Sequence, residues 1–354
     1  MTRPPPPLWF LVPGALDTPT GGYEYDRRVI AGLHDLGWQV EVGRLDASFP
    51  DPSTDALTAA ARTLAALPDG AAVVVDGLAF GALPAAAAAH GGRLRLIALI
   101  HHPLAAESGL APARVAALRQ SETRALAAAR GVVVTSVATA DLLGDYQVPR
   151  TRIRVVEPGT DPAPAARGST GGLLQLLCVA ALTERKGHDL LLQALAPLRG
   201  RDWHLTCVGS PARDPVYAAR LTALCGALDL AGRVAFAGVL DDAALVRCYD
   251  GADLFVLATR FEGYGMACAE ALAHGLPILA TRAGAVPTTV PPTAGLLVAP
   301  DDPAALTAAL ARLLDEPKLR HRLAAGSRAA GLGLPTWQTA AAAFARSIEE
   351  LCDV

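Results

Sequence analysis

The sequence predicts an α/β protein with two doubly wound parallel sheets. Short apolar runs recur along its 354 residues without polar alternation, which is typical of strands buried on both faces. Segments with helical character separate most of these runs, and this order favours parallel sheets covered by helices. The length, with a hydrophobic content of 52%, is enough for two cores. We therefore expect two domains of ordinary size.

The first domain is predicted over residues 1–165. Its opening strand, helix and second strand form a βαβ unit, and Gly37 closes the helix. Strands are predicted at 8–12, 38–45, 71–75, 93–100, 131–136 and 153–157. Helices are predicted at 23–36, 54–67, 113–129 and 139–146.

The second domain is predicted over residues 170–335 and repeats the same plan. Residues 158–172 are the interior stretch richest in Pro, Gly and Ser, which indicates a linker. Strands are predicted at 173–181, 203–208, 234–238, 253–257, 278–280 and 295–300. Helices are predicted at 188–198, 216–228, 241–249, 266–274, 303–314, 317–331 and 335–351.

Glycine and polar residues follow several strands of the first domain. Gly21 and Gly22 precede the first helix, but the pattern G-x-G-x-x-G is missing, which argues against a dinucleotide oxidoreductase. Asp76 follows the third strand, and His101 and His102 follow the fourth. Ligands of open α/β sheets bind at the carboxyl ends of strands, so these side chains are candidates for a site.

The stretch from 257 to 280 organises the second domain. Gly263 and Gly265 flank Tyr264 between an apolar strand and a helix that begins at Met266. Glycines allow the backbone to approach a ligand closely, and a helix N-terminus directs unpaired N–H groups and a positive dipole end at it. This arrangement predicts an anion site suited to a diphosphate.

Two carboxylates accompany this anion site. Glu262 directly precedes the turn, and Glu270 lies slightly more than one turn into the helix. Carboxylates repel phosphate but accept hydrogen bonds from hydroxyls, such as those of a ribose and a hexose on its two sides. Glu270 lies among alanine, cysteine and leucine, which argues against a solvated charge. The pair therefore indicates a nucleotide-sugar site.

The run Glu262-Gly-Tyr-Gly-Met-Ala-Cys-Ala-Glu270, followed by Ala-Leu-Ala-His-Gly-Leu-Pro-Ile, resembles the Glu-x7-Glu signature of the retaining glycosyltransferases of family 4. The resemblance extends over nearly the whole chain. It implies the GT-B fold, in which two Rossmann-like domains face each other across a cleft. It also implies that the last segment, 336–354, crosses back to the first domain, with Thr336 as helix cap and Trp337 as anchor.

Further residues match the family pattern. Lys186 before Gly187, together with Arg185, would neutralise a diphosphate, and the glycine loop of the first domain would face the donor phosphates. A histidine after the fourth strand would support the anomeric centre, and either His101 or His102 fits. Where the family has Gly-Arg after the first strand of this domain, the chain has Ala180 and Ala181. Arg185 or Arg260 would have to replace that arginine.

The predicted site follows from these residues. The catalytic residues are predicted to be His101, His102, Lys186 and Glu262. The donor-binding residues are predicted to be Gly21, Gly22, Arg185, Lys186, Gly209, Val239, Glu262, Gly263, Tyr264, Gly265, Met266 and Glu270.

Composition and missing motifs narrow the class of function. A formal net charge of −3 argues against nucleic acid as a partner. The chain contains no Asp-x-Asp motif and no P-loop, and its six cysteines form no C-x-x-C pair, so we expect neither a metal nor another cofactor. Residues 1–7 do not resemble a signal peptide, and no apolar run is long enough to span a membrane. We expect a cytoplasmic protein.

The resemblance implies a metal-independent retaining hexosyltransferase that uses front-face substitution, with UDP-glucose as the default donor. The acceptor hydroxyl would belong to a soluble small molecule, with a lipid or glycan still open. Loops at 17–25, 76–80 and 104–109 would bind it. Two alternatives remain, a sugar-nucleotide epimerase and a non-catalytic nucleotide-sugar-binding protein. Incubation with donor alone distinguishes them, because an epimerase isomerises it.

Overall fold

The computed structural model describes residues 7–353, so most of the segment considered above as a signal peptide lies outside the described residues. The chain forms two compact units. The first comprises Met1–Gly159 and Pro335–Val354, and the second comprises Thr160–Leu334. The division after Gly159 falls within the 158–172 stretch.

The first unit contains a parallel six-stranded sheet in the order β2-β1-β3-β4-β5-β6. Its third strand is completely buried, as expected for a parallel sheet covered on both faces. The strands are β1 (Leu8–Pro13), β2 (Val40–Leu45), β3 (Ala72–Asp76), β4 (Arg95–Ile100), β5 (Gly131–Val134) and β6 (Ile153–Val155). The helices between them are α1 (Gly21–Asp35), α2 (Thr54–Ala66), α3 (Gly77–Phe80), α4 (Pro84–His90), α5 (Pro112–Ala127) and α6 (Val137–Leu142).

The second unit contains a parallel six-stranded sheet in the order β12-β11-β10-β7-β8-β9. The strands are β7 (Leu174–Val179), β8 (Trp203–Val208), β9 (Val234–Gly238), β10 (Leu254–Leu257), β11 (Ile278–Thr281) and β12 (Gly295–Val298). The helices are α7 (His188–Leu195), α8 (Pro215–Ala227), α9 (Asp242–Asp250), α10 (Met266–Ala273), α11 (Val286–Thr289), α12 (Pro303–Asp315) and α13 (Pro317–Gly331).

The last helix, α14 (Trp337–Cys352), belongs to the first unit and packs against α1. The hydroxyl of Thr336 caps it by accepting a hydrogen bond of 3.1 Å from the backbone of Thr339. Its apolar face is buried, and the ring of Phe344 stacks on Phe10 of β1 at 6.3 Å. The ring of Trp337 contacts Tyr25 of α1 edge-on at 6.2 Å.

The predicted α/β class and all twelve predicted strands are confirmed, with boundaries that differ by at most two residues. Three short helices, α3, α4 and α11, were not predicted. The alanine run in α4 has no polar positions to reveal a helical period, and α3 and α11 are single turns of four residues. Among residues 7–353, no helix combines the length and hydropathy needed to span a bilayer.

Candidate active site

The N-terminus of α10 lies just beyond the carboxyl end of β10. Gly265 precedes the helix with a φ of 93°, a left-handed conformation that favours glycine. No side chain in the described part of the chain caps the first turn. The N–H groups at the start of α10 are therefore placed as an anion-binding helix end requires.

The loop before α10 is held by two hydrogen bonds, one from the residue that precedes α11 and one from the last residue of α11. The backbone of Ala285 donates a hydrogen bond of 2.9 Å to the carbonyl of Glu262. The hydroxyl of Thr289 donates one of 2.7 Å to the carbonyl of Tyr264. This stretch of the signature is thus held by nonlocal contacts.

Glu262 and Lys186 form a buried ion pair in the second unit. Lys186 Nζ lies 2.6 Å from Glu262 Oε1, and their side chains are 18% and 8% exposed. Burial alone would raise the pKa of Glu262, but the charges of Lys186 and Arg185 outweigh it and hold that pKa below its usual value. Glu262 is therefore ionised at neutral pH.

A tight turn places Lys186 in this position. Gly187, the next residue, has a φ of 67°, and a Cβ atom there would lie 1.9 Å from the carbonyl oxygen of Ala258. Only glycine allows this turn to pack against the residues that follow β10. Steric exclusion of a side chain at position 187 therefore explains why a glycine follows Lys186.

Arg185 and Arg260 differ in how they are engaged. Arg185 Nη1 donates a hydrogen bond of 2.9 Å to the carbonyl of Phe261. Arg260 binds both carboxylate oxygens of Asp189, at 3.1 and 2.9 Å, and also binds Asp301 at 2.8 Å. Arg260 therefore already neutralises two carboxylates.

Glu270 is half-buried on α10 and is bound by a residue of α9. The hydroxyl of Tyr249 donates a hydrogen bond of 2.7 Å to Glu270 Oε2. Burial, with the charge of Glu270, raises the pKa of Tyr249 well above its usual value, so the phenol remains a donor. Its ring stacks on that of His274 at 4.8 Å. These contacts orient the carboxylate.

Gly209 and Val239 follow β8 and β9. In the sheet order these strands are second and third from β10, so both residues lie away from Glu262 along the same carboxyl edge. Val239 is half-exposed, at 53%. At about 4.8 Å per strand, this edge extends about 14 Å, enough for a nucleotide.

A second cluster lies in the first unit, where β4 ends. His101 Nε2 is 3.1 Å from Asp26 Oδ1 and 3.5 Å from Asp76 Oδ2. Both carboxylates are fully buried, whereas the His101 side chain is 18% exposed. Gly22 also touches the ring, because a Cβ atom there would lie 3.1 Å from His101 Cδ2. The structure thus brings His101 together with the start of α1.

The electrostatics of this cluster favour a charged imidazole. Burial would lower the pKa of His101, but Asp26 and Asp76 raise it to about 10. Burial raises the pKa of Asp26 to about 6 despite the opposing effect of His101. At neutral pH the histidine and Asp26 are therefore an ion pair.

His102 lies in a different environment. Its Nε2 atom is 3.8 Å from Glu107 Oε2, and the Glu107 side chain is 40% exposed. Exposed contacts of this kind between charged groups are weak compared with buried ones. Of the two adjacent histidines, only His101 joins the buried carboxylates.

Sequence reasoning missed Asp26 and Tyr249 as members of these clusters. The sequence contains one indication that Asp26 is special, because this residue falls between Tyr23 and Ile30 on the buried face of α1. A carboxylate in an apolar stripe requires a partner. Tyr249 has no comparable signal, since tyrosine is ordinary in a helix core.

Two clusters have ligand atoms within 4.8 Å of one another, as a metal site would. The first comprises buried Cys178, His188 and Cys207, and within the described residues it offers three ligands, fewer than a structural zinc site needs. The second is the His101 cluster, where a hydrogen bond from Nε2 explains the contact with Asp26.

Two family profiles match the chain. "Glycosyltransferase Family 4" matches residues 15–164, and "Glycosyl transferases group 1" matches residues 162–330. The chain is 30% identical over 313 residues to the MMP alpha-(1->4)-mannosyltransferase of Mycolicibacterium hassiacum, covering 84% of this chain and 74% of that protein. Several D-inositol 3-phosphate glycosyltransferases, 30–34% identical, are covered over only 46–58% of their length.

Solved structures share the fold. Sucrose-phosphate synthase from Thermosynechococcus elongatus superposes with a TM-score of 0.81 at 20% identity, covering 97% of this chain and 98% of that one. HepE from Anabaena, solved in complex with UDP-glucose, gives 0.75 at 17% identity, covering 97% and 99%. The two doubly wound units are those of the GT-B fold. The chain is a glycosyltransferase and belongs to glycosyltransferase family 4.

Proposed function

We propose that the protein transfers a hexose from a nucleoside diphosphate hexose to a hydroxyl group of a small molecule, with retention of configuration and without a metal ion. The observation that carries the proposal is the grouping at the α10 N-terminus. There, an uncapped helix end lies between two carboxylates, Glu262 and Glu270, beside the ammonium of Lys186.

Each group has a distinct part in donor binding. Lys186 donates one of its three N–H groups to Glu262, and the remaining two have no partner within residues 7–353. They, Arg185 and the amides of α10 would bind the diphosphate. Glu270, oriented by Tyr249, would accept hydrogen bonds from the ribose, and Glu262 would accept them from the hexose. Gly209 and Val239 would contact the nucleoside.

The transferred sugar is proposed from the relatives. The Mycolicibacterium hassiacum protein is named as a mannosyltransferase, and the HepE structure contains UDP-glucose. These names support a hexose, with UDP-glucose as the first donor to test and GDP-mannose as the second.

The chemistry requires stabilisation of a leaving group. As the bond between the anomeric carbon and the phosphate oxygen breaks, negative charge develops on the diphosphate, where Lys186 and the α10 amides stabilise it. The acceptor oxygen bonds to the same face of the anomeric carbon, and its proton passes to the departing phosphate. Glu262, ionised and bound to Lys186, holds sugar hydroxyls and does not attack carbon.

Of the two histidines, we propose His101 as the catalytic one. It is held by buried carboxylates and is cationic at neutral pH, so it can donate a hydrogen bond to an oxygen that gains charge. The surrounding loops, at 17–25, 76–80 and 104–109, would then bind the acceptor.

Glu270→Ala is expected to weaken nucleotide binding by about 1–3 kcal/mol, because ribose hydroxyls and the Tyr249 hydroxyl lose their acceptor. Calorimetric titration with UDP or GDP measures this loss. Tyr249→Phe is the matched control, since it removes one hydrogen bond but keeps the carboxylate, and should cost less. Unchanged affinity in Glu270→Ala would exclude Glu270 from the nucleotide site.

Turnover is expected to survive excess EDTA, because the leaving-group charge is met by Lys186 and backbone amides. Initial rates of nucleotide release, measured with and without chelator, test this. A rate that disappears with EDTA and returns only with Mg²⁺ or Mn²⁺ would contradict metal independence.

The proposed function is tested by a panel of sugar nucleotides in two stages. In thermal unfolding, a true donor at about 100 times its dissociation constant adds about 2.7 kcal/mol of stability. Donors that stabilise are then incubated with mixed small-molecule acceptors, and products are identified by mass spectrometry. Stabilisation without transfer or isomerisation would instead indicate a non-catalytic binding protein.

A further inference from the structure

Two buried carboxylates, those of Asp26 and Asp76, converge on a single nitrogen of His101. Asp76 Oδ1 accepts a hydrogen bond of 2.8 Å from the backbone of Leu78 and so caps α3, while its Oδ2 faces the imidazole. Asp26 binds His101 through Oδ1 and also interacts with Asp76, and its Oδ2 atom is buried without a hydrogen-bond partner in the described part of the chain. A buried carboxylate so placed needs an explanation.

We propose that Asp26 is a positioning residue that keeps His101 protonated, so that His101 serves the transfer reaction as a fixed cationic hydrogen-bond donor and not as a general base. The inference rests on the proposed function, because it assigns His101 its chemical form in that reaction. Asp76 assists from the other side of Nε2.

The geometry leaves the second ring nitrogen available. Nε2 is directed at the carboxylates, while Nδ1 has no hydrogen-bond partner among residues 7–353 and is not enclosed. Gly22 and Tyr25 restrain the ring, the latter edge-on at a centroid distance of 5.4 Å. Tyr25 is itself fixed by a hydrogen bond of 3.0 Å to the carbonyl of Val156. A protonated His101 therefore presents Nδ1–H in one orientation.

The charges around His101 all act in the same direction. Asp26 approaches from α1 and Asp76 from the end of β3, and both favour the imidazolium. Tyr25, the other titratable group in contact, is neutral because burial raises its pKa well above the usual value. A neutral imidazole would leave a buried carboxylate without a counter-charge, which is costly. A proton acceptor at His101 is therefore disfavoured.

The first test is an NMR titration of the His101 ring in the full-length protein, with its signal assigned from the spectrum of His101→Gln. In the wild type the ring is expected to stay protonated from pH 6 through pH 8. The upper end of this range is about 1.5 pH units above the ordinary histidine pKa of about 6.5. In Asp26→Asn the titration should move to lower pH. A wild-type ring that titrates near its ordinary value would overturn the proposal, whether or not any variant folds.

The second test compares the pH dependence of transfer. Asp26→Asn should lower kcat without changing the donor KM. If its His101 pKa falls to about 7, the rate at pH 8 should drop about tenfold and recover on acidification. Asp35→Asn, at an exposed position on the same helix, is the matched control and should behave as wild type. An equal loss at every pH would show a merely structural role and overturn the proposal.

The two tests separate this inference from the proposed function. If no donor and acceptor pair reacts, the proposed function fails, but the titration still decides whether Asp26 sets the charge of His101. If transfer occurs and His101 titrates normally, the proposed function stands and the role of Asp26 is wrong. Should Asp26→Asn not fold, Asp76→Asn replaces it, with a smaller shift in the same direction expected.

Discussion

His101→Ala is expected to reduce the transfer rate at least about 100-fold, whereas His102→Ala should retain most of it. The reason is the environment of each ring. His101 is cationic and is oriented by buried Asp26 and Asp76, while the imidazole of His102 lies 3.8 Å from the carboxylate of half-exposed Glu107. Steady-state kinetics on the two variants, with calorimetric nucleotide binding, measure the contrast.

Nucleotide affinity should be unchanged in both variants, because the proposed nucleotide-binding groups of the second unit are untouched. Weakened binding in His101→Ala would move this residue into the nucleotide site. Near-normal turnover in both variants would show that the pair is structural, and Asp76 would become the next candidate at the sugar.

Lys186→Ala is the second substitution that we expect to reduce the transfer rate strongly. It removes a charge from the developing diphosphate, and loss of one such group costs about 10²–10³ in rate. It also removes the ion-pair partner of Glu262, whose side chain is 8% exposed, so the folded state should lose stability as well. Transfer rate and thermal unfolding are both measured on this variant.

A double variant separates these two effects. Lys186→Ala with Glu262→Gln removes the unpaired buried charge, so unfolding stability should recover relative to Lys186→Ala alone. The transfer rate should remain low, because the diphosphate still lacks its cation. Recovery of the rate together with the stability would show that Lys186 acts only as the structural partner of Glu262.

The sequence alone predicts those elements whose structure depends on residues close together in the chain. β10, the glycine turn and α10 were predicted because an apolar run, two glycines and a Gly-x-Pro ending each restrict the backbone within a few residues. The same reasoning could not find α4, whose alanines satisfy a helix, a core and a loop equally. Periodicity requires polar positions within a segment, and the alanine run at 85–89 has none.

The sequence predicts candidate site residues, but it does not predict which other residues they contact. Spacing predicts Glu262 and Glu270 as site residues, and the family resemblance adds Lys186. The contact of Glu270 with Tyr249, by contrast, joins two helices and depends on their packing. Likewise, the sequence offers Arg260 as a cation for the diphosphate, but in the structure its guanidinium binds the carboxylates of Asp189 and Asp301. Contacts between distant residues follow from the fold and not from the local pattern.

The most direct test of the central claim is an NMR analysis of the complete reaction with UDP-α-glucose or GDP-α-mannose and a reactive acceptor. We predict that one equivalent of free nucleoside diphosphate forms per sugar transferred, and that the product carries the sugar in the α configuration of the donor. A product with inverted configuration, or a donor that isomerises without releasing its nucleotide, would contradict the account.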